Sequence, residues 1–176
     1  MVGPLKKGLG GFTHLLVVVD KFTKWIEAKP ITNIRLEETV KFFLDINYRF
    51  GVPNCIITYH GTNFTGKKFL DFYDGYNIRI DWALIVHPHT NGQVEWANGM
   101  VLQGLKPRIF DQLNKYVGRW VAKVPVILWS LRMTLNRSIG FTPFFLAYGA
   151  EAELPSDLNH GAPRVKAFDL DQAMEA

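Results

Sequence analysis

The chain has 176 residues, 48% of them hydrophobic and 14% aromatic, which is enough apolar material to bury one core and too much for a disordered tail. Its longest apolar runs, Leu15–Val19 and Pro125–Trp129, fall well short of the roughly 18 residues a membrane span requires, and Lys6 and Lys7 lead into a Gly-rich segment, not into the apolar region of a secretory signal. Twenty Lys and Arg against sixteen Asp and Glu leave a net charge of +4, which suits a polyanionic partner. The expectation is one domain over residues 1–150 in a nuclear or cytoplasmic protein with no membrane partner.

In chain order, Thr13–Val19 follows the Gly8–Gly11 segment and reads as a buried strand of β-branched and Leu residues, with a second strand over Trp25–Ala28. Arg35–Phe50 places Leu36, Val40, Phe43 and Leu44 at helical spacing, with Asn33 as a candidate cap and Gly51 and Pro53 as the stop. Asn54–Thr58 is an uninterrupted apolar run of the kind a central strand buried on both faces requires, and it leaves Tyr59 at its carboxyl end. Cys55, the one cysteine, excludes a disulfide framework and reads as a small core residue.

Lys67–Tyr73 reads as a short helix, Arg79–Val86 as a strand and His87–Gly92 as a polar loop. His87 and His89 are close, but no further ligand stands at zinc-finger spacing. From Gln93 a helix runs to about Lys106 with Val94, Ala97, Val101 and Leu105 as its apolar stripe, Glu95 off that stripe and Pro107 as its end. A last helix over Trp120–Leu135 carries Val121, Val124, Leu128, Leu131 and Leu135, with Pro125 expected to kink it or delay its start. Tyr73, Trp82, Trp120 and Trp129 fit core positions, and residues 151–176 read as an exposed connector. The element order predicts an α/β architecture, a mixed sheet flanked by helices, in which ligands collect at the carboxyl ends of strands.

Five segments in order carry a resemblance: VGPL (Val2–Leu5), LLVVVDKFTKWIEA (Leu15–Ala28), ITxxGTxF (Ile57–Phe64), HPxTNGQVE (His87–Glu95) and GFTPFFLAYGAEAELP (Gly140–Pro155). The stretch from Leu5 to Pro155 resembles the catalytic core of integrases from Ty3/gypsy-type long-terminal-repeat retrotransposons, plant ones especially. The resemblance implies a ribonuclease H-like fold, DNA as partner, Mg2+ or Mn2+ as cofactor and a triad of two aspartates and a glutamate. The last two members of that triad are separated by thirty-five residues, and thirty-five residues separate Tyr59 from Glu95. Glu95 thus matches the glutamate, while Tyr59 occupies the aspartate slot.

The chemistry explains why that substitution matters. Two divalent cations about 4 Å apart need hard anionic oxygens to hold them, and a phenol with a reference pKa of about 10 offers one neutral oxygen. By the resemblance the other aspartate belongs to a first strand immediately before VGPL, and that strand is truncated here. Asp20 does not replace it, because an antiparallel offset of three residues points it to the opposite face about 10 Å away; pairing with Lys21 or Lys24 is its expected role.

Related integrases follow the glutamate with basic residues, where this chain has Trp96, Gly99 and Leu102. Asn91, Gly92 and Asn98 match the family's active-site surroundings and, with Lys67, Lys68 and Lys106, form the candidate nucleic-acid-binding set; Asn91 otherwise reads as a helix cap and Asn98 as a solvated residue. Contacts from the lysines would go to phosphates, without sequence preference and with strong salt dependence. Three readings follow: a catalytically inactive integrase core, a weakly active metal-dependent polynucleotidyl transferase if the parent frame supplies the missing aspartate, and a homodimerisation module using the stripe of the Trp120–Leu135 helix.

Overall fold

The computed structural model describes residues 1–33, 35–59, 66–83, 88–109, 118–137 and 139–152. The elements are β1 (His14–Val19), β2 (Ile26–Ile31), α1 (Leu36–Phe50), β3 (Cys55–Tyr59), α2 (Lys67–Gly75), β4 (Arg79–Ala83), α3 (Pro88–Ile109), α4 (Trp120–Met133) and α5 (Pro143–Tyr148). The α/β architecture is as expected. β1 and β2 pair antiparallel with Leu16 opposite Lys29, and β3 and β4 pair parallel with Ile57 opposite Asp81. Among the described residues no strand joins the two pairs. Beside β1, Val2 makes a single antiparallel bridge to Leu15, with reciprocal backbone bonds of 2.8 Å, and Leu5 donates to the Thr13 carbonyl.

β1 is buried on both faces, and its alternation divides the molecule. Leu15 and Val17 face one core together with Ile26 of β2, Ala97, Val101 and Leu105 of α3, and Trp120, Val124, Ile127 and Leu128 of α4. Leu16 faces the other way, against Ile31 and Phe42. Next to it Phe43 of α1 joins Phe69 and Tyr73 of α2 and Ile78, with Ile56 of β3 and Ile80 of β4 packed on them. α3 and α4 approach closely at Gly104, where an added Cβ would lie 2.7 Å from Ile127 Cγ2. Only a glycine leaves room there.

A buried ionic cluster locks β2 to three helices. Glu27, 8% exposed, accepts from Trp25 Nε1 at 2.8 Å and pairs through the same oxygen with Arg49 at 3.0 Å and Arg132 at 2.8 Å. Arg132 also donates to the Ile26 carbonyl and stacks 4.2 Å over the Trp25 ring. The other contacts of that ring are Phe50, Phe144 and Tyr148, so α1, α4 and α5 all meet at β2.

Several expectations are corrected. α1 is capped at Arg35 without a side-chain bond, so Asn33 is not its cap; α1 buries Thr39, Phe42, Phe43 and Asn47. β2 extends to Ile31 through Pro30. The run Cys55–Thr58 is partly buried, not buried on both faces, and β4 is its strand neighbour among the described residues. α3 begins at Pro88, where a sequence reading places a loop: proline is tolerated in a helix's first turn, where its missing N–H has no partner to lose. Pro107 does not end α3 either; it lies in the last turn, where one backbone bond is forfeited. Pro125 likewise sits inside α4, which starts at Trp120 without delay.

Trp129 is 42% exposed, against the expectation of a core position, whereas Tyr73 and Trp120 are buried and Trp82 is partly buried; Leu135 lies beyond the end of α4 and is exposed. Within α4 the stripe of Val124, Ile127 and Leu128 closes the monomer core. A short helix, α5, was missed. Thr142 accepts from Phe145 N at 3.0 Å, Pro143 opens the helix and Gly149 ends it at φ 75°. Leu84–His87, most of the ITxxGTxF segment (60–65) and the connector 153–176 lie outside the described residues.

Candidate functional site

Tyr59 is the last residue of β3, opposite Ala83 of β4, so the chain delivers it to the carboxyl end of a parallel pair, the place where α/β folds gather ligands. Glu95 stands on α3 and is exposed. The reason is helical geometry: Ala97, two residues on, is rotated about 200° from it and is fully buried against β1 and α4 with Val101 and Leu105. The buried stripe thereby fixes the direction of Glu95 toward solvent.

Asn91, Gly92 and Asn98 lie on the same helix, four and three residues before Glu95 and three after it, so α3 groups these candidates along one side. Asn91 is not a cap, since the helix starts at Pro88; its side chain lies outside the described set. Asn98 is not a solvated residue: its Oδ1 is buried, with no hydrogen-bond partner among the described residues. Lys67 opens α2 and is exposed, while the side chains of Lys68 on α2 and Lys106 on α3 lie outside the described set.

Asp20 does not pair with Lys21 or Lys24 as expected. Its carboxylate accepts from the Thr23 backbone N at 2.8 Å and the Thr23 hydroxyl at 2.6 Å, closing the β1–β2 turn as an Asx-type cap. A carboxylate that sequence reading passed over is Asp81, whose register partner Ile57 is two residues, or about 7 Å of strand, from Tyr59. It is committed elsewhere. The Cys55 thiol donates to it at 3.1 Å and Arg79 pairs with it at 3.2 Å. The thiol's hydrogen bond first, and Arg79 second, hold Asp81 below the usual carboxylate range. In turn, desolvation first and the bond to Asp81 second push the Cys55 thiol up, which favours its protonated form. Among the described residues no three His, Cys, Asp or Glu side chains converge as a metal site would require.

No protein-family model matches the chain. Curated relatives do: it is 33% identical over 141 residues, 80% of its length, to the Gag-Pol polyprotein of avian reticuloendotheliosis virus. It is 30% identical over 98% of its length to the Pol polyprotein of radiation murine leukemia virus (strain Kaplan). The chain spans 12% and 29% of those polyproteins, respectively.

Among solved structures it matches the HTLV-2 integrase catalytic core domain in complex with magnesium at TM-score 0.61 and 24% identity, over 76% of this chain and 84% of that one. The BIV integrase catalytic core domain matches at TM-score 0.62 and 19% identity, over 77% and 85%. A chain of the simian T-cell lymphotropic virus intasome in complex with a PP2A regulatory subunit matches at 0.66 and 22%, over 80% and 49%.

The fold is therefore that of an integrase catalytic core, ribonuclease H-like. With the Pol polyproteins as sequence relatives, the chain belongs to the integrase cores of long-terminal-repeat retroelements.

Proposed function

We propose that this chain is an integrase core of Ty3/gypsy type that binds polynucleotides without sequence preference and does not cut or join them. The observation that carries this reading is the donor set. At the carboxyl end of β3 stands a tyrosine, Asp81 is occupied by Arg79 and Cys55, and Glu95 is the one carboxylate on the candidate face of α3. A phenol and a lone carboxylate do not fit two divalent cations, which need several anionic oxygens and a bridging carboxylate between them. The HTLV-2 core is in complex with magnesium; in this chain these residues alone do not supply the anionic oxygens such ions need.

The basic composition and Lys67, Lys68 and Lys106 support polynucleotide binding through phosphates. The test uses the purified chain, a DNA-end substrate and manganese or magnesium. No end processing is expected, either from the chain as it stands or after Tyr59→Asp alone. Sequence-dependent processing that disappears on Glu95→Gln would overturn the reading and support the weakly active alternative.

Self-association is a second reading, favoured by the exposed apolar side chains of Phe50, Val126, Trp129 and Tyr148, contributed by α1, α4 and α5, of which Phe50 and Tyr148 flank the covered Trp25. The HTLV-2 core is known in dimeric and trimeric forms. A molar mass that stays at the monomer value over a wide concentration range in light scattering removes this reading.

A further inference from the structure

The exposed face of α3 is unusual in what it lacks. No lysine or arginine occurs from Ile80 to Leu105, and Glu95 is the one charge in α3 before Lys106. A row of duplex phosphates has no cation to meet there and one carboxylate to avoid. What the face offers instead is a flat ring on an open shelf. Gly92, Trp96, Gly99 and Gln103 follow one another at intervals of four, three and four, so they lie on one side of the helix. Trp96 is 47% exposed. At Gly92 and at Gly99, one turn to either side, a Cβ would meet nothing within 4 Å. The indole therefore stands between two stretches of bare helix, with the exposed Gln103 amide, a donor and an acceptor, one turn further on.

From this geometry we infer that Trp96 is a stacking platform for an unpaired nucleobase, so that the Gly92–Gln103 face of α3 engages single-stranded or frayed nucleic acid by ring stacking and not by charge. The inference rests on the polynucleotide-binding reading and specifies its ligand. A base has a π-face that lies flat on an indole whatever its identity, and the glycines leave room for its sugar beside the helix. The strand's phosphates are carried by basic side chains elsewhere on this +4 chain. Gln103 meets the edge of the same or the adjacent base. Stacking releases no counterions, so Trp96 contributes affinity without contributing to the salt dependence.

The experiment measures binding of the full chain to a single-stranded oligothymidylate of about 20 nucleotides, long enough for a complete site, and to a duplex of equal length. Salt is varied from about 50 to about 200 mM. Trp96→Ala is expected to weaken single-strand binding about tenfold, the effect of one base–aromatic stack, and Trp96→Phe to keep most of the affinity. Duplex binding and the slope of affinity against salt are expected to stay as they were in both variants. Unchanged single-strand binding in Trp96→Ala, or an equal loss on single strand and duplex, overturns the platform while leaving polynucleotide binding intact. A drop in oligomeric mass on Trp96→Ala without nucleic acid overturns it in favour of a second copy covering the indole. If the unsubstituted chain binds neither oligonucleotide even at low salt, the polynucleotide reading and the platform fall together.

Discussion

The two sides of β1 are packed by different means. Toward α3 and α4, aliphatic and indole side chains from two strands and two helices interlock, with Leu15, Ala97, Val101 and Leu105 at no exposure, and the Glu27 cluster ties the rim. Toward α1 and α2 the helices bury an aromatic knot of Phe43, Phe69 and Tyr73, yet the β3–β4 strands beneath it stay half-exposed. Glu95 is carried by the first unit and Tyr59 by the second. The contrast teaches that the two candidate residues are carried by differently packed halves, Glu95 on the tightly packed one and Tyr59 on a strand that is only partly buried.

Breaking the ionic rim of the first unit gives the largest expected effect. Glu27→Ala leaves Arg49 and Arg132 beside each other without their common anion, and removing one partner of a buried pair costs about 3–5 kcal/mol. Urea unfolding should show this as a lower midpoint at unchanged slope. A loss under about 1 kcal/mol, the range of a surface pair, would mean that solvent already screens the cluster. The two units are then compared directly by truncation. Leu105→Ala, at a fully buried site, is expected to cost about 3 kcal/mol, and Ile56→Ala, on the half-exposed strand, about 1 kcal/mol. Equal losses would erase the distinction between the halves.

What the sequence made legible follows the same division. The stripe Ala97, Val101 and Leu105 was readable because helical periodicity alone selects it, and it correctly turned Glu95 to the outside. β1 was readable because a strand buried on both faces is apolar throughout. That same rule misled at Asn54–Thr58, where Asn54 is exposed and Cys55–Thr58 are only partly buried. The start of α3 was hidden by polar, loop-like residues before Gln93, although a helix accepts proline in its first turn. The Thr142–Pro143 start and Gly149 stop of α5 were legible local signals that periodicity could not pick up in six residues. Long-range electrostatics left no local trace: nothing near Glu27 in sequence announces Arg132, and nothing around Asp81 announces the thiol of Cys55. The Tyr59 to Glu95 spacing was visible only through resemblance, since composition is silent on which residues share a site.

The smallest expected effect sharpens the picture of the second unit. Tyr73 is 1% exposed at the centre of the aromatic knot, 4.2 Å from the Phe69 ring centroid in an edge-to-face arrangement, and its hydroxyl is buried with no hydrogen-bond partner among the described residues. An unpaired buried hydroxyl has given up its water bonds for nothing. Tyr73→Phe keeps the ring and its contacts while removing that cost, so it should stabilise the fold by about 1 kcal/mol. The pH dependence gives an independent check. Burial pushes the Tyr73 phenol far above its ordinary value, so the folded chain holds it neutral while the unfolded chain ionises near pH 10. Stability linked to this group is fully present below that pH and falls as the pH rises through it, because the unfolded state then binds fewer protons than the folded one. The advantage of Tyr73→Phe should accordingly widen above about pH 10. A substitution that instead destabilises by about 1 kcal/mol or more would show that the hydroxyl is satisfied by a group or water within the knot, and that the second unit is as fully specified as the first.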